Sequence, residues 1–276
     1  MPEIRRMRPL LGTFVEIAVE EGSSDAGEEA IAASFRAIEK IQSLLSFHDS
    51  HSELSLLNRA AYRSAVSVHP WTWRVLGMCR RLHMASRGIF DPSVALRLVE
   101  NGLLPAPIGS GDSPEHSACF SDVEMTGGRK IRFLKPLWLD LGGIAKGFAV
   151  DVAILTLRAH GVRQAHVNAG GDMRAMGGKP IPVWLRDPDM PSRTVPVGML
   201  HNAACATSGG YFNAQHGWAI MTPQTSEQPR VSSVTVLARR CMVADALTKI
   251  VALMGAAESE PILEQFEATA FTGIPQ

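Results

Sequence analysis

The chain has 276 residues, 46% of them hydrophobic and 20% charged, which suits one large domain or two small ones around a substantial core. Its 27 basic and 27 acidic residues cancel, so no long-range field gathers nucleic acid or an anionic membrane. That balance argues against a DNA-binding protein and leaves a nucleotide enzyme open, provided local groups hold the phosphates.

Thr13–Glu20 (TFVEIAVE) alternates in the manner of a strand. Glu28–Leu45 places Ile31, Phe35, Ile38, Ile41 and Leu45 at helical spacing, which predicts a long amphipathic helix. Ser46–Asn58 reads as polar and turn-rich, and a second helix is expected over Trp71–Ser86, stopping at Gly88. Leu103–Ser121, with its prolines, glycines and serines, reads as a surface loop.

A strand at Trp138–Leu141 is expected to run into Gly142–Gly143, followed by a helix with Phe148, Val152, Leu155 and Ala159 on one face and Gly161 as its cap. Short β-like runs alternate with turns from Gln164 to Leu237. A helix near Val243–Met254 ends at Gly255, and Ile262–Phe271 adds a short helix and a strand. Helices at both ends of a β-rich middle favour α+β over a regularly alternating parallel sheet.

Cys79, Cys119, Cys205 and Cys241 form no CxxC pair, which argues against a zinc site or a redox dithiol and leaves four reduced thiols buried as small apolar groups. Met1–Arg8 carries three arginines, but no apolar signal region follows. No stretch reaches the roughly 20 apolar residues of a membrane span. The sequence as it stands reads as a soluble cytoplasmic protein.

Three segments could carry chemistry. In Leu139–Asp151 (LDLGGIAKGFAVD), glycines permit close approach of backbone to a ligand. The helix start beyond them offers free N–H groups and a partial positive charge to a phosphate, and Lys146 adds a full charge. The pattern is neither GxxxxGK[ST] nor GxGxxG. On local grounds alone, an ordinary strand-to-helix turn with a solvated lysine explains it better. His166–Gly178 (HVNAGGDMRAMGG) breaks at Gly170–Gly171 like a tight hairpin, where structural glycines serve as well as ligand approach. Ala206–Tyr211 (ATSGGY) sets Thr207 and Ser208 before two glycines, which suits hydroxyl contacts in a loop.

Taken in order, LGTFVEI at 11–17, SELSLLN at 52–58, FDPSV at 90–94, LDLGGIAKGFAVD at 139–151, VNAGGDMRAMGGKP at 167–180, ATSGGY at 206–211 and VTVLARRCMVADAL at 234–247 resemble the successive signatures of the ApbE family. The resemblance spans almost the whole chain. It implies a single α+β domain with a mostly antiparallel sheet core and flanking helices. It also implies an FAD:protein FMN transferase that cleaves FAD, usually with Mg2+, and attaches FMN to a threonine of a flavoprotein acceptor through a phosphoester.

Carried over by residue, the turn Gly142, Gly143 and Gly147 would hold the pyrophosphate with Lys146 beside it. Asp91 and the run Asn168, Gly170, Gly171 and Asp172 would line the flavin cavity, with Leu11 as an apolar contact and Thr207 and Ser208 as hydroxyl contacts. Ala145 (through its carbonyl), Asp245 and Thr248 would hold the metal, and Asp245 and Lys146 would serve catalysis.

This chain departs from that pattern at one end of the site. The metal helix of the family ends its motif in threonine four residues after aspartate, and here Lys249 stands there, with Thr248 one position early. An ammonium has donors only and cannot ligate a hard cation. Pairing of Lys249 with Asp245 in the metal's place is therefore favoured over a rotation of Thr248 into the site. The family's HxxDP motif is matched only by Ala219–Pro223, without its histidine and aspartate, and His216 upstream reads as an exposed loop residue. Gly210 replaces an acidic residue. The alternatives to transfer are a flavin-binding protein without catalysis and an enzyme acting on another nucleotide or a pterin.

Overall fold

A computed structural model describes residues 3–20, 24–107, 109, 112–186, 190, 193–209, 220–222, 231 and 233–273. Gly210, Tyr211, His216, Ala219 and Pro223 lie outside the described residues. In chain order the elements begin with β1 (Glu3–Leu10), β2 (Thr13–Glu20), α1 (Ser24–Leu45), α2 (Glu53–Ala60), β3 (Val66–Ser67) and α3 (Pro70–Ala85). Next come α4 (Ala95–Glu100), β4 (Val123–Thr126), β5 (Lys130–Phe133), α5 (Ala145–Ala159), β6 (Gln164–Ala169) and β7 (Asp172–Met176). The chain continues through β8 (Ile181–Arg186), β9 (Thr194–Leu200), β10 (Ala204–Gly209) and β11 (Ser233–Ala238) to α6 (Cys241–Met254), α7 (Ala256–Gln265) and β12 (Thr269–Thr272). Short 3₁₀ turns at Pro92–Val94 and Phe120–Asp122 complete the set.

Contacts divide the chain into two compact units. The first comprises Met1–Lys40, Lys146–Phe212 and Val231–Gln276. Its sheet runs β1-β2-β6-β7-β10-β11-β12, with antiparallel pairing throughout. The α+β expectation therefore holds. Helix α6 packs on β10 and β11, buried on nearly every side, which explains why its sequence shows little polar face. The β8–β9 hairpin adds a smaller core in which Val183, Leu185 and Leu200 meet Met173, Ala175 and Cys205. The predicted face of α1 is buried at Ile31, Phe35, Ile38, Ile41 and Leu45. Among the described residues, no helix is long and apolar enough to cross a membrane.

The second unit holds Ile41–Ala145 and Asn213–Arg230, with α2, α3, α4 and the sheet β3-β5-β4. Two expectations fail here. Ser46–Asn58 is not all turn: Ser52 Oγ accepts the Ser55 N–H at 3.0 Å and caps α2, a capping bond that stabilises a short helix despite its polar sequence. Trp138–Leu141 forms no strand and joins no sheet. Asn58 replaces the neighbouring strand, donating from Nδ2 to the Leu139 carbonyl and accepting the Leu139 N–H, each at 2.9 Å. Asp140 N–H donates to the Pro92 carbonyl at 2.8 Å. A side-chain amide presents the same donor and acceptor as a peptide, so an apolar run can be satisfied without a ladder.

On α5 the expected stripe is half right. Phe148 and Val152 are buried, whereas Leu155 and Ala159 are exposed, and the buried surface continues instead through Asp151, Ile154 and Leu157. Gly161 does end that helix, at φ +87°, and Gly88 and Gly255 stop α3 and α6 at positive φ.

Candidate functional site

The register of the first unit's sheet brings several motifs to one end. The turn Leu11–Gly12 joins β1 to β2 with Leu10 opposite Thr13, and Gly170–Gly171 joins β6 to β7 with Ala169 opposite Asp172. Val15 pairs with Ala169, and Cys205 with Met173, so both turns and the end of β10 share that edge. All four turn residues have positive φ, the requirement of the tight hairpin turns that match strand twist. A Cβ on Gly170 would meet Thr13 Oγ1 at 2.5 Å, so this glycine serves close packing between neighbouring hairpins. Asn168 Oδ1 accepts the Gly171 N–H at 3.0 Å and braces the turn. Thr207 and Ser208 lie on strand β10 itself, not in a loop as expected. Thr207 Oγ1 is 3.0 Å from Thr235 Oγ1.

Four charged side chains meet beside this edge. Lys146, in the first turn of α5, donates to Asp172 Oδ2 at 2.7 Å, and its ammonium lies 3.8 Å from Asp245 Oδ1. Asp245, on α6, is wholly buried and accepts the Gly147 N–H at 3.0 Å through Oδ2. Its Oδ1 takes the ammonium of Lys249, one helical turn on. Lys249 also donates to the Asp245 carbonyl and to Ser208 Oγ, each at 3.1 Å. Thr248 Oγ1 donates to the Asp245 carbonyl at 2.6 Å and stands 2.8 Å from Ser208 Oγ. Since a hydroxyl has one proton, Ser208 must be the donor to Thr248.

Helix α5 can approach α6 this closely because residue 147 is glycine. A Cβ there would lie 2.3 Å from the Cys241 carbonyl oxygen and 2.8 Å from Asp245 Cβ. The helix start that the sequence offered to a phosphate thus spends its Gly147 N–H on an internal carboxylate, which complements the helix dipole equally well. Asp151, four residues on, anchors the same crossing. Its Oδ1 accepts Arg174 Nη1 at 2.6 Å and the Cys241 N–H at 2.9 Å, and its Oδ2 accepts the Met242 N–H at 3.1 Å. It therefore caps α6 from a distant segment, a role that no local pattern announces.

Burial penalises each charge in the cluster, and partners decide the outcome. For Lys146 burial opposes the ammonium, but Asp172 and Asp245 outweigh it and hold its pKa above the ordinary lysine value. Burial likewise works against the Asp245 carboxylate, yet Lys146, Lys249 and the Gly147 N–H bring it below the usual aspartate value. Asp172 is raised, by burial first and then by the neighbouring charge of Asp245, against the pull of the two lysines. The four cysteines are free. Cys79, Cys205 and Cys241 are buried, and burial pushes the Cys205 thiol up to about 12, so these three are inert thiols as expected. Cys119 is only partly buried.

The remaining expected residues belong to the second unit. Gly142 and Gly143 lie in the turn before α5, where the Ile144 and Ala145 N–H groups donate to the Leu141 carbonyl at 3.0 and 2.9 Å. Ala145 opens α5. The Asp91 side chain is fully buried: Oδ1 accepts the Ser93 N–H at 2.8 Å and Oγ at 2.6 Å, and Oδ2 accepts the Phe120 N–H at 3.1 Å with His83 Nδ1 at 3.4 Å. It anchors the FDPSV turn from within.

The side-chain donors expected for magnesium, Asp245 and Thr248, do not fit that ion. A hard dication wants several oxygen lone pairs converging on one point. Asp245 gives one oxygen to Gly147 and the other to Lys249, while Thr248 and Ser208 are engaged with each other and with Asp245 and Lys249. Two ammonium groups already balance the two carboxylates.

Fold and site together define a class: an α+β protein whose antiparallel sheet carries two tight glycine turns and a buried lysine–aspartate cluster at one edge. A profile described as the ApbE family matches residues 11–272. The chain belongs to the ApbE family. It is 28% identical over 274 residues to the FAD:protein FMN transferase of Vibrio cholerae, covering 90% of this chain and 80% of that one. Its fold matches the Pseudomonas stutzeri flavinyl transferase ApbE with a TM-score of 0.84 at 21% identity, covering 100% and 92% of the two chains. It also matches the ApbE protein of Thermotoga maritima with a TM-score of 0.80 at 25% identity, covering 98% and 94%.

Proposed function

We propose that this protein is an FAD:protein FMN transferase. The observation that carries the reading is the cluster of Lys146, Asp172, Asp245, Lys249 and Ser208 at the turn edge of the sheet, in a chain matched over nearly its whole length by the ApbE profile. Lys146 is the group that meets the flavin pyrophosphate. Its side chain is one-third exposed and one of its three donors goes to Asp172, which leaves donors for phosphate oxygens. The turns at Leu11–Gly12 and Gly170–Gly171 bring backbone close to the ligand, and Thr207 and Ser208 add hydroxyls beside it.

In the transfer, the acceptor threonine Oγ attacks the phosphorus of the FMN half. The bond from that phosphorus to the AMP oxygen breaks, AMP leaves with the electron pair, and the threonine proton passes to solvent or a base. Lys146 stabilises the charge gathering on the phosphoryl oxygens, the main contribution a protein makes to such reactions.

Incubation with FAD and a threonine-bearing flavoprotein acceptor, with and without Mg2+, tests this by AMP release and by the mass of the acceptor. Release of AMP together with an FMN adduct is expected. Absence of both under either condition sinks the reading. The ion pair of Lys249 with Asp245 favours a second reading, flavin binding without transfer, which FAD binding in the absence of product would support.

A further inference from the structure

We infer that Lys249 is a built-in cation: its ammonium takes the place of a divalent ion beside Asp245 and Ser208, so that the chain binds its flavin ligand without metal. This inference rests on the reading of the site as a flavin pyrophosphate site. All three ammonium protons of Lys249 have acceptors within the chain, namely Asp245 Oδ1, the Asp245 carbonyl and Ser208 Oγ. No donor is left over, which separates it from Lys146. Lys249 is the local counter-charge and Lys146 faces the ligand.

The pair differs from an ordinary surface contact four residues apart on a helix, which contributes little. Asp245 is wholly buried and the Lys249 side chain is 17% exposed. A buried carboxylate needs a positive partner in place at all times, and here the partner is covalently part of the chain. The hydroxyls follow the same polarity: Lys249 donates to Ser208, Ser208 to Thr248, and Thr248 to the Asp245 carbonyl. Asp245 thus gives Oδ2 to the Gly147 N–H and Oδ1 to the ammonium, and both hydroxyls are held within the same network. Asp172 and Asp245 carry two negative charges and Lys146 and Lys249 two positive ones, so the cluster is neutral before any ion arrives. A dication would stand against two ammonium groups.

The test uses the full chain, with Mn2+ alone and FAD alone as probes. Loss of the free Mn2+ electron paramagnetic resonance signal measures ion binding, and flavin fluorescence measures FAD binding in EDTA and in Mg2+. The wild type is expected to leave the Mn2+ signal and its own melting temperature unchanged, and to bind FAD equally in EDTA and Mg2+. Lys249→Thr frees Asp245 Oδ1 and supplies a further oxygen. It is expected to take up Mn2+ and to lose FAD affinity about tenfold in EDTA, regained with Mg2+. Lys249→Arg keeps the charge and is expected to stay blind to Mn2+. Stoichiometric Mn2+ binding by the wild type, or FAD binding that disappears in EDTA, overturns the inference. If the wild type binds no FAD under any condition, the flavin reading falls instead, and the Mn2+ measurement on the wild type still decides what Lys249 does. That measurement also stands if the threonine variant fails to fold.

Discussion

Replacement of Gly147 by alanine is the sharpest probe of how the site is built. The added Cβ would lie 2.3 Å from the Cys241 carbonyl oxygen, 2.6 Å from its carbon and 2.8 Å from Asp245 Cβ. The first two are backbone atoms of α6, so no side-chain rotation relieves the clash and the two helices must part. Overpacking of this kind costs about 1–3 kcal/mol. Parting the helices also stretches the Gly147 N–H bond to the Asp245 carboxylate, a charged bond worth about 1.5–3 kcal/mol. Alanine returns about 1 kcal/mol through helix propensity. The net expectation is a loss of about 1.5–5 kcal/mol, read as a lower urea midpoint at unchanged slope, together with weaker FAD binding because Lys146 and Asp245 separate. Gly77→Ala is the matched control. It lies within α3 with nothing within 4 Å of its added Cβ, and should stabilise by about 0.5–1 kcal/mol. A Gly147→Ala protein within about 0.5 kcal/mol of wild type would refute the close helix crossing.

Asp151→Asn leaves Arg174 without its carboxylate and weakens the cap on α6. Thermal and urea unfolding should show a loss of about 2–4 kcal/mol, short of a fully buried pair because Arg174 keeps 17% exposure; melting like wild type would contradict the anchoring role. Leu11 adopts φ 57°, a strained region for a branched side chain, so Leu11→Asn should stabilise by about 1 kcal/mol while weakening FAD binding, which fluorescence titration separates from stability. The raised pKa of Lys146 adds stability that is present below the lysine value of about 10.4 and lost as pH rises toward the folded value. The stability difference between wild type and Lys146→Met should therefore be flat through neutral pH and shrink at alkaline pH; a difference that grows there would reverse the sign of the argument.

Local signals carried far in this chain. The alternation at Thr13–Glu20 and the helical spacing of Ile31, Phe35, Ile38 and Ile41 were sufficient because period alone decides which face can be buried. The glycines at 161, 170, 171 and 255 marked turns and helix ends through their positive φ. The spacing of Asp245 and Lys249 already places them one helical turn apart, so their pairing is legible in the sequence. The ordered motifs pointed to the family.

Other features depended on atoms brought together from distant segments. Nothing near Leu139 discloses that Asn58 will satisfy its peptide, so an apolar run reads as a strand and is not one. Leu155 reads as core but is exposed because the packing direction of α5 is set by α6, some ninety residues later. Likewise nothing near Asp151 discloses its anchoring role until the backbone N–H groups it accepts are in place. Sequence determined which residues could carry charge, bend the chain or face a core. Tertiary structure alone decided which opposite charges became neighbours, since burial makes an unpaired charge too costly to keep and only the fold selects its partner.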